Sequence, residues 1–226
     1  MFLGIDTATG RGSVALLPAC GPPAVRRLEE RAGHARDLLA AIEALLADSA
    51  RTPADLEGIG VAIGPGSFTG VRVGMATAKG LAYALDIPLA GLSTLEALAR
   101  AAAPETPAGR VELFAVILAG RGEVYAARFE VRDGAIERRS EDRAFCPVDL
   151  GPELAEGVLL VGDGAAAVRS AVTDGARHRE IDAPLLAGAV ASWAATVIPK
   201  GARYRPGTLA PNHIRPSDAE AARRRA

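Results

Sequence analysis

The sequence predicts an α/β protein built from two similar halves, and three observations carry that reading. Short apolar runs of strand length alternate with longer runs in which apolar residues recur at helical spacing. Glycine and proline clusters punctuate the boundaries between them. After the polar, proline-bearing residues 104–109 the pattern starts again.

In the first half, residues 2–8 read as a buried strand, followed by the turn Thr9-Gly10-Arg11-Gly12 and a second strand over 13–17. Gly21, Pro22 and Pro23 signal another turn, and residues 25–30 add a third antiparallel strand. Residues 34–49 form an amphipathic helix, because Leu38, Leu39, Ile42, Leu45 and Leu46 fall on one face. A strand over 58–63, a helix from Ser67 to about Asp86, a strand over 88–92 and a helix over 94–103 complete the half. The order β-β-β-α-β-α-β-α is the ribonuclease-H-like layout.

The second half repeats it in shortened form. Residues 111–118, 124–131 and 135–139 read as strands, with Asp133-Gly134 a hairpin turn between the last two. A short helix over 149–156, a strand over 158–161 and helices over 165–172 and 184–197 follow. Two such lobes side by side match the sugar kinase, Hsp70 and actin architecture, with a cleft between them and the second lobe abbreviated. The expected division is a first lobe over 1–104, a smaller second lobe over 110–202 and a basic tail over 203–226.

The helix after Ser67 has an unusually bare side. Pro65 and Gly66 end the preceding strand, and Ser67 is placed to cap the helix. Gly70, Gly74, Ala78 and Ala82 then recur every four residues, which stacks them along one side. Each interior glycine costs roughly 1 kcal/mol relative to alanine, so a compensation is expected. Close approach of another helix supplies one, and with Phe68, Val71, Met75, Leu81 and Leu85 flanking the ridge, a docking surface is the expectation.

Composition bounds the function. At 226 residues the chain can bury a large core, and 49% of its residues are hydrophobic with only 4% aromatic, so small aliphatics build it. A net charge of −1 gives no global attraction to nucleic acid or acidic membranes. Cys20 and Cys146 have no ligand-type spacing and make no disulfide framework. Asp6 follows the start almost at once, so no signal peptide is expected. No uncharged apolar stretch reaches the roughly 20 residues that span a bilayer. A cytoplasmic protein without a membrane partner is the expectation.

Candidate chemistry is sparse. Asp6, Thr7 and Thr9 precede a glycine turn, where an acidic side chain can hold Mg²⁺ and small residues admit phosphate, or where Asp6 simply orders its own turn. Residues 64–70 can hold an anion at a helix N-terminus, but Lys79 lies too far along for a Walker loop. Gly162, Asp163 and Gly164 follow an apolar strand, either near a nucleotide or as a plain tight turn. The histidines are His34, His178 and His213, with no pair at i and i+4, so a metal-binding helix motif cannot be assembled and no metal or cofactor is expected. Ser67 and Thr69 have no neighbouring histidine and carboxylate in sequence.

The run Gly64-Pro65-Gly66-Ser67-Phe68-Thr69-Gly70, continued by Arg72, Gly74, Lys79 and Gly80, resembles the bacterial TsaB (YeaZ) family, as does the opening Phe2 to Leu17. Weaker likenesses occur at Gly122-Glu123-Val124-Tyr125, at Gly162-Asp163-Gly164 and at Pro211 to Arg215. The resemblance implies a non-catalytic scaffold for a TsaD-like paralogue, which places the threonylcarbamoyl group on adenosine 37 of tRNA, working with a TsaE-like ATPase. It implies homodimers when the paralogue is absent, and tRNA contact through the complex. It also assigns His34, Leu38, Ile42, Phe68, Val71, Gly74, Met75 and Ala78 to the partner interface. Two motifs depart from the family: Leu118-Ala119-Gly120 stands where Asp-Ala-Arg is usual, with Arg121 a candidate substitute, and His213 replaces a tyrosine. The rival readings are a small-molecule kinase of the same fold and, more remotely, a metallopeptidase.

Overall fold

Alternation along two glycine-bearing strands organises the first sheet. In β1 (Phe2–Asp6) and β4 (Gly58–Ala62), Leu3, Ile5, Ile59 and Val61 point to one face, while Gly4, Gly58 and Gly60 leave the other bare. The computed structural model describes residues 1–28, 34–154, 157–172, 179–201 and 208–214. With β2 (Ser13–Leu17), β3 (Ala24–Arg27) and β5 (Leu89–Leu92), the order is β3-β2-β1-β4-β5. β1 pairs antiparallel with β2 and parallel with β4. Helices α1 (His34–Asp48) and α2 (Phe68–Leu85) lie side by side on the leucine-isoleucine face.

The second sheet repeats the plan. β6 (Arg110–Gly120) is its central strand, antiparallel to β7 (Glu123–Arg132) and parallel to β10 (Leu159–Val161). β8 (Ala135–Arg138) and β11 (Arg179–Ile181) form the edges, and β9 (Arg143–Phe145) pairs with β7. The order β11-β10-β6-β7-β8 mirrors that of the first sheet. The expected helix over 149–156 is instead a 3₁₀ segment, Pro147–Glu153, because Pro152 in its interior cannot donate an α-helical hydrogen bond. Residues 155–156 lie outside the described set, as do residues 29–30 of the expected third strand. α4 (Ala165–Ala171) completes that side of the second sheet.

Between the sheets lie α3 (Thr94–Ala102) and α5 (Ala187–Val197). α3 follows the first sheet in sequence yet packs on β6, β7 and β10 of the second. α5 follows the second sheet yet packs on β1, β2 and β4 of the first. The bare strand face explains it. A Cβ at Gly4 would stand 2.0 Å from the Ala187 carbonyl oxygen, and one at Gly60 2.6 Å from that of Val190. Small residues on sheet and helix together let the two backbones touch. The two lobes therefore exchange their last helices.

Residues 208–214 return to the first lobe: Leu209 is buried over Gly91 and Ile63, and the Asn212 N–H donates to the Ile63 carbonyl at 2.7 Å. The arginines expected to make the tail basic, at 203, 205, 215 and 223–225, lie outside the described residues. Among the described residues, no helix is long and apolar enough to cross a membrane.

Candidate functional site

Asp6 ends β1 fully buried, and its carboxylate is spent on its own turn. The Ala8 N–H donates to Oδ1 at 2.8 Å and the Thr9 hydroxyl to Oδ2 at 2.7 Å. Burial pushes the carboxyl above the usual range, opposed by those hydrogen bonds and by the Thr9 amide. The turn-ordering alternative describes this geometry. The Thr7 hydroxyl turns the other way and donates to the Gly70 carbonyl of α2 at 2.7 Å.

Across the cleft, Gly162-Asp163-Gly164 is pressed onto β6. A Cβ at Gly162 would stand 2.2 Å from the Val116 carbonyl oxygen, Gly164 N–H donates to that same oxygen, and Asp163 Oδ1 accepts from the Leu118 N–H at 3.0 Å. Thr9, Arg11, Ile117, Asp163 and Leu186 line a cavity of about 20 Å³ between the lobes. That is room for about one water. The Arg11 guanidinium reaches across to donate to the Ala183 carbonyl. Among the described residues, no three His, Cys, Asp or Glu side chains come together as metal donors.

The glycine ridge faces inward, which corrects the reason given for its docking role. A Cβ at Gly70 would meet the Thr7 carbonyl oxygen at 1.9 Å, and one at Gly74 the Thr7 Oγ1 at 2.2 Å. The end of β1, not a second subunit, fills the ridge. Gly74 is buried there, and Leu38, Ile42, Val71, Met75 and Ala78 are all core residues of this chain. Phe68 is half-buried at the start of α2, and the His34 side chain lies outside what is described. Ser67 caps the helix as expected, its hydroxyl accepting from the Gly70 N–H at 3.1 Å. Its own N–H is held by the Ala8 carbonyl, so that loop offers an anion little.

What α1 and α2 leave outside is a different stripe. Arg72, Ala76, Gly80 and Tyr83 run along the exposed side of α2, with Leu39, Ala40 and Glu43 on that of α1. Tyr83 is 82% and Leu39 45% exposed, large apolar groups beside residues with little or no side chain. Periodicity marked the apolar stripe of α1 but could not separate Leu39, at its edge, from the buried Leu38.

The chain was compared with known proteins. Residues 29–149 match the family model for TsaD, tRNA N6-adenosine threonylcarbamoyltransferase. The tRNA threonylcarbamoyladenosine biosynthesis protein TsaB of Bacillus subtilis is 33% identical over 76% of this chain and 75% of its own length. The chain belongs to the TsaB family. The Escherichia coli TsaB is 37% identical over 68% of this chain, a match spanning 63% of that relative. A crystal structure from Pseudomonas aeruginosa, described as similar to peptidase YEAZ, superposes with a TM-score of 0.81 at 29% identity over 95% of this chain and 99% of the other. Component A of (R)-2-hydroxyglutaryl-CoA dehydratase from Acidaminococcus fermentans, at 12% identity and a TM-score of 0.52, shares the fold alone. The sugar-kinase and actin-like architecture read from the repeated strand order is thus that of the TsaB family.

Proposed function

We propose that the chain is a non-catalytic subunit of the machinery that forms threonylcarbamoyladenosine in tRNA. It docks on a TsaD-like catalytic paralogue through the outer face of α1 and α2, works with a TsaE-like ATPase, and pairs with a second copy when the paralogue is absent. The observation that carries this reading is the open helical face bearing the large exposed side chains of Leu39 and Tyr83. Membership of the TsaB family supports it. The docking set moves outward accordingly, from the buried ridge to Leu39, Ala76, Gly80 and Tyr83.

A stable interface of this type buries roughly 1,600 Å² in total. An exposed tyrosine beside alanine and glycine suits it, because a rigid ring contributes much area at little entropic cost. The test is co-purification of the paralogue with Tyr83→Glu and Leu39→Glu chains. Both variants keep the parental melting temperature and lose the partner. Retention of the partner at parental yield by both contradicts the reading. The kinase alternative predicts heat of ATP–Mg²⁺ binding to the isolated chain, and we expect none.

A further inference from the structure

The returning tail is held by three unlike contacts, of which one reaches the first residue of α2. Leu209 is buried in a notch open only because Gly91 has no side chain: a Cβ there would lie 2.6 Å from Leu209 Cδ1. Asn212 hydrogen-bonds the Ile63 carbonyl through its backbone, and its side-chain Nδ2 donates to Asp142 Oδ2 at 2.7 Å. The His213 ring stacks on Phe68, the first residue of α2, with centroids 4.8 Å apart. The same residues therefore touch the β4–α2 junction and the loop before β9, in opposite lobes.

Two of the groups the tail touches keep other partners when it leaves. Leu209 is the one buried side chain among residues 208–214; Pro211 and Asn212 are half-buried and His213 is exposed. Asp142 also accepts from the Ser93 hydroxyl at 2.6 Å and pairs with Arg138 at 2.6 Å, so losing Asn212 strands no charge. Phe68 keeps the Arg72 guanidinium 3.6 Å from its ring centre when His213 leaves. Asp142 and Phe68 thus keep other partners when the tail leaves, and the opening costs the Asn212–Ile63 backbone hydrogen bond and the burial of Leu209, well short of global unfolding.

We propose that residues 208–214 are a latch that fixes the first turn of α2, so that the shape of the outer α1–α2 face, and the grip on a partner there, depends on whether the tail is seated. The proposal rests on the docking reading above. Arg72 links the two: it stacks on Phe68 beneath the latch and stands in the exposed stripe with Ala76 and Tyr83.

Hydrogen exchange on the full chain tests the latch directly. Asn212→Ala and His213→Ala each speed exchange of residues 64–72 by roughly tenfold and weaken calorimetric affinity for the catalytic paralogue severalfold. The melting temperature stays within about 3 °C of the parent. His213→Tyr, which keeps a stacking ring, stays at parental values. Parental exchange over 64–72 in both alanine variants overturns the latch, and faster exchange with unchanged affinity overturns its coupling to docking. Tyr83→Glu separates the two ideas. If that variant binds the paralogue normally, the docking reading fails, and exchange alone judges the latch.

Discussion

Asp6 is held where a carboxylate is least at ease, without solvent and with three neutral donors around it. Its folded pKa is raised, so its contribution is most favourable below the unfolded carboxylate value and is lost as pH rises through the folded one. Asp6→Asn keeps an acceptor for the Ala8 or Thr9 donor and carries no charge to bury. The melting temperature of the variant relative to the parent therefore climbs as pH rises above the ordinary aspartate value of about 4, measured by calorimetry at several pH values. A difference independent of pH would show that Asp6 does not titrate in that range. Two glycines of α2 make a second test. Gly80 has nothing within 4 Å of where a Cβ would stand, so Gly80→Ala gains about 1 kcal/mol from helix propensity alone. Gly74→Ala adds the same propensity but drives a Cβ to 2.2 Å from Thr7 Oγ1, and the net change in denaturant unfolding is a loss of about 1–3 kcal/mol. The four-residue repeat revealed that these glycines share a face. It was silent on what the face meets, because periodicity gives direction around a helix and not the neighbour in that direction.

At the scale of elements, α5 was legible as a helix and illegible as to place. Its sequence is apolar nearly all round, so no polar side told which sheet it served. The signal that was present lay elsewhere, in Gly4, Gly58 and Gly60 alternating on one strand face. Gly4→Ala and Gly60→Ala therefore lower stability by about 1–3 kcal/mol or more by forcing α5 off the sheet, as read from urea midpoints. Substitutions at these strand positions would ordinarily be mild, since alanine is tolerated in strands better than glycine. The three-residue strands β9 and β11 escaped notice because three residues are too few to display alternation. The shortened helix of the second lobe was read from its length, but Pro152 already argued for a 3₁₀ turn.

For the molecule as a whole, exchanged helices make the two lobes one unit. α3 and α5 pack on each other as well as on opposite sheets, so opening the cleft would shear both interfaces. The doubled layout was legible because each lobe repeats the same strand order, whereas the closure of the cleft was not, since it depends on contacts such as Arg11 to Ala183 that are 172 residues apart. The docking role proposed above rests on the open helical flank that carries Leu39 and Tyr83. The most direct test is the initial rate of threonylcarbamoyladenosine formation on tRNA by the catalytic paralogue and its ATPase, reconstituted with Asp6→Asn or with Tyr83→Glu chain. The account predicts that Asp6→Asn supports the parental rate and that Tyr83→Glu abolishes it at equal protein concentration. The opposite pattern, with the Asp6 variant inactive and the Tyr83 variant fully competent, would contradict it.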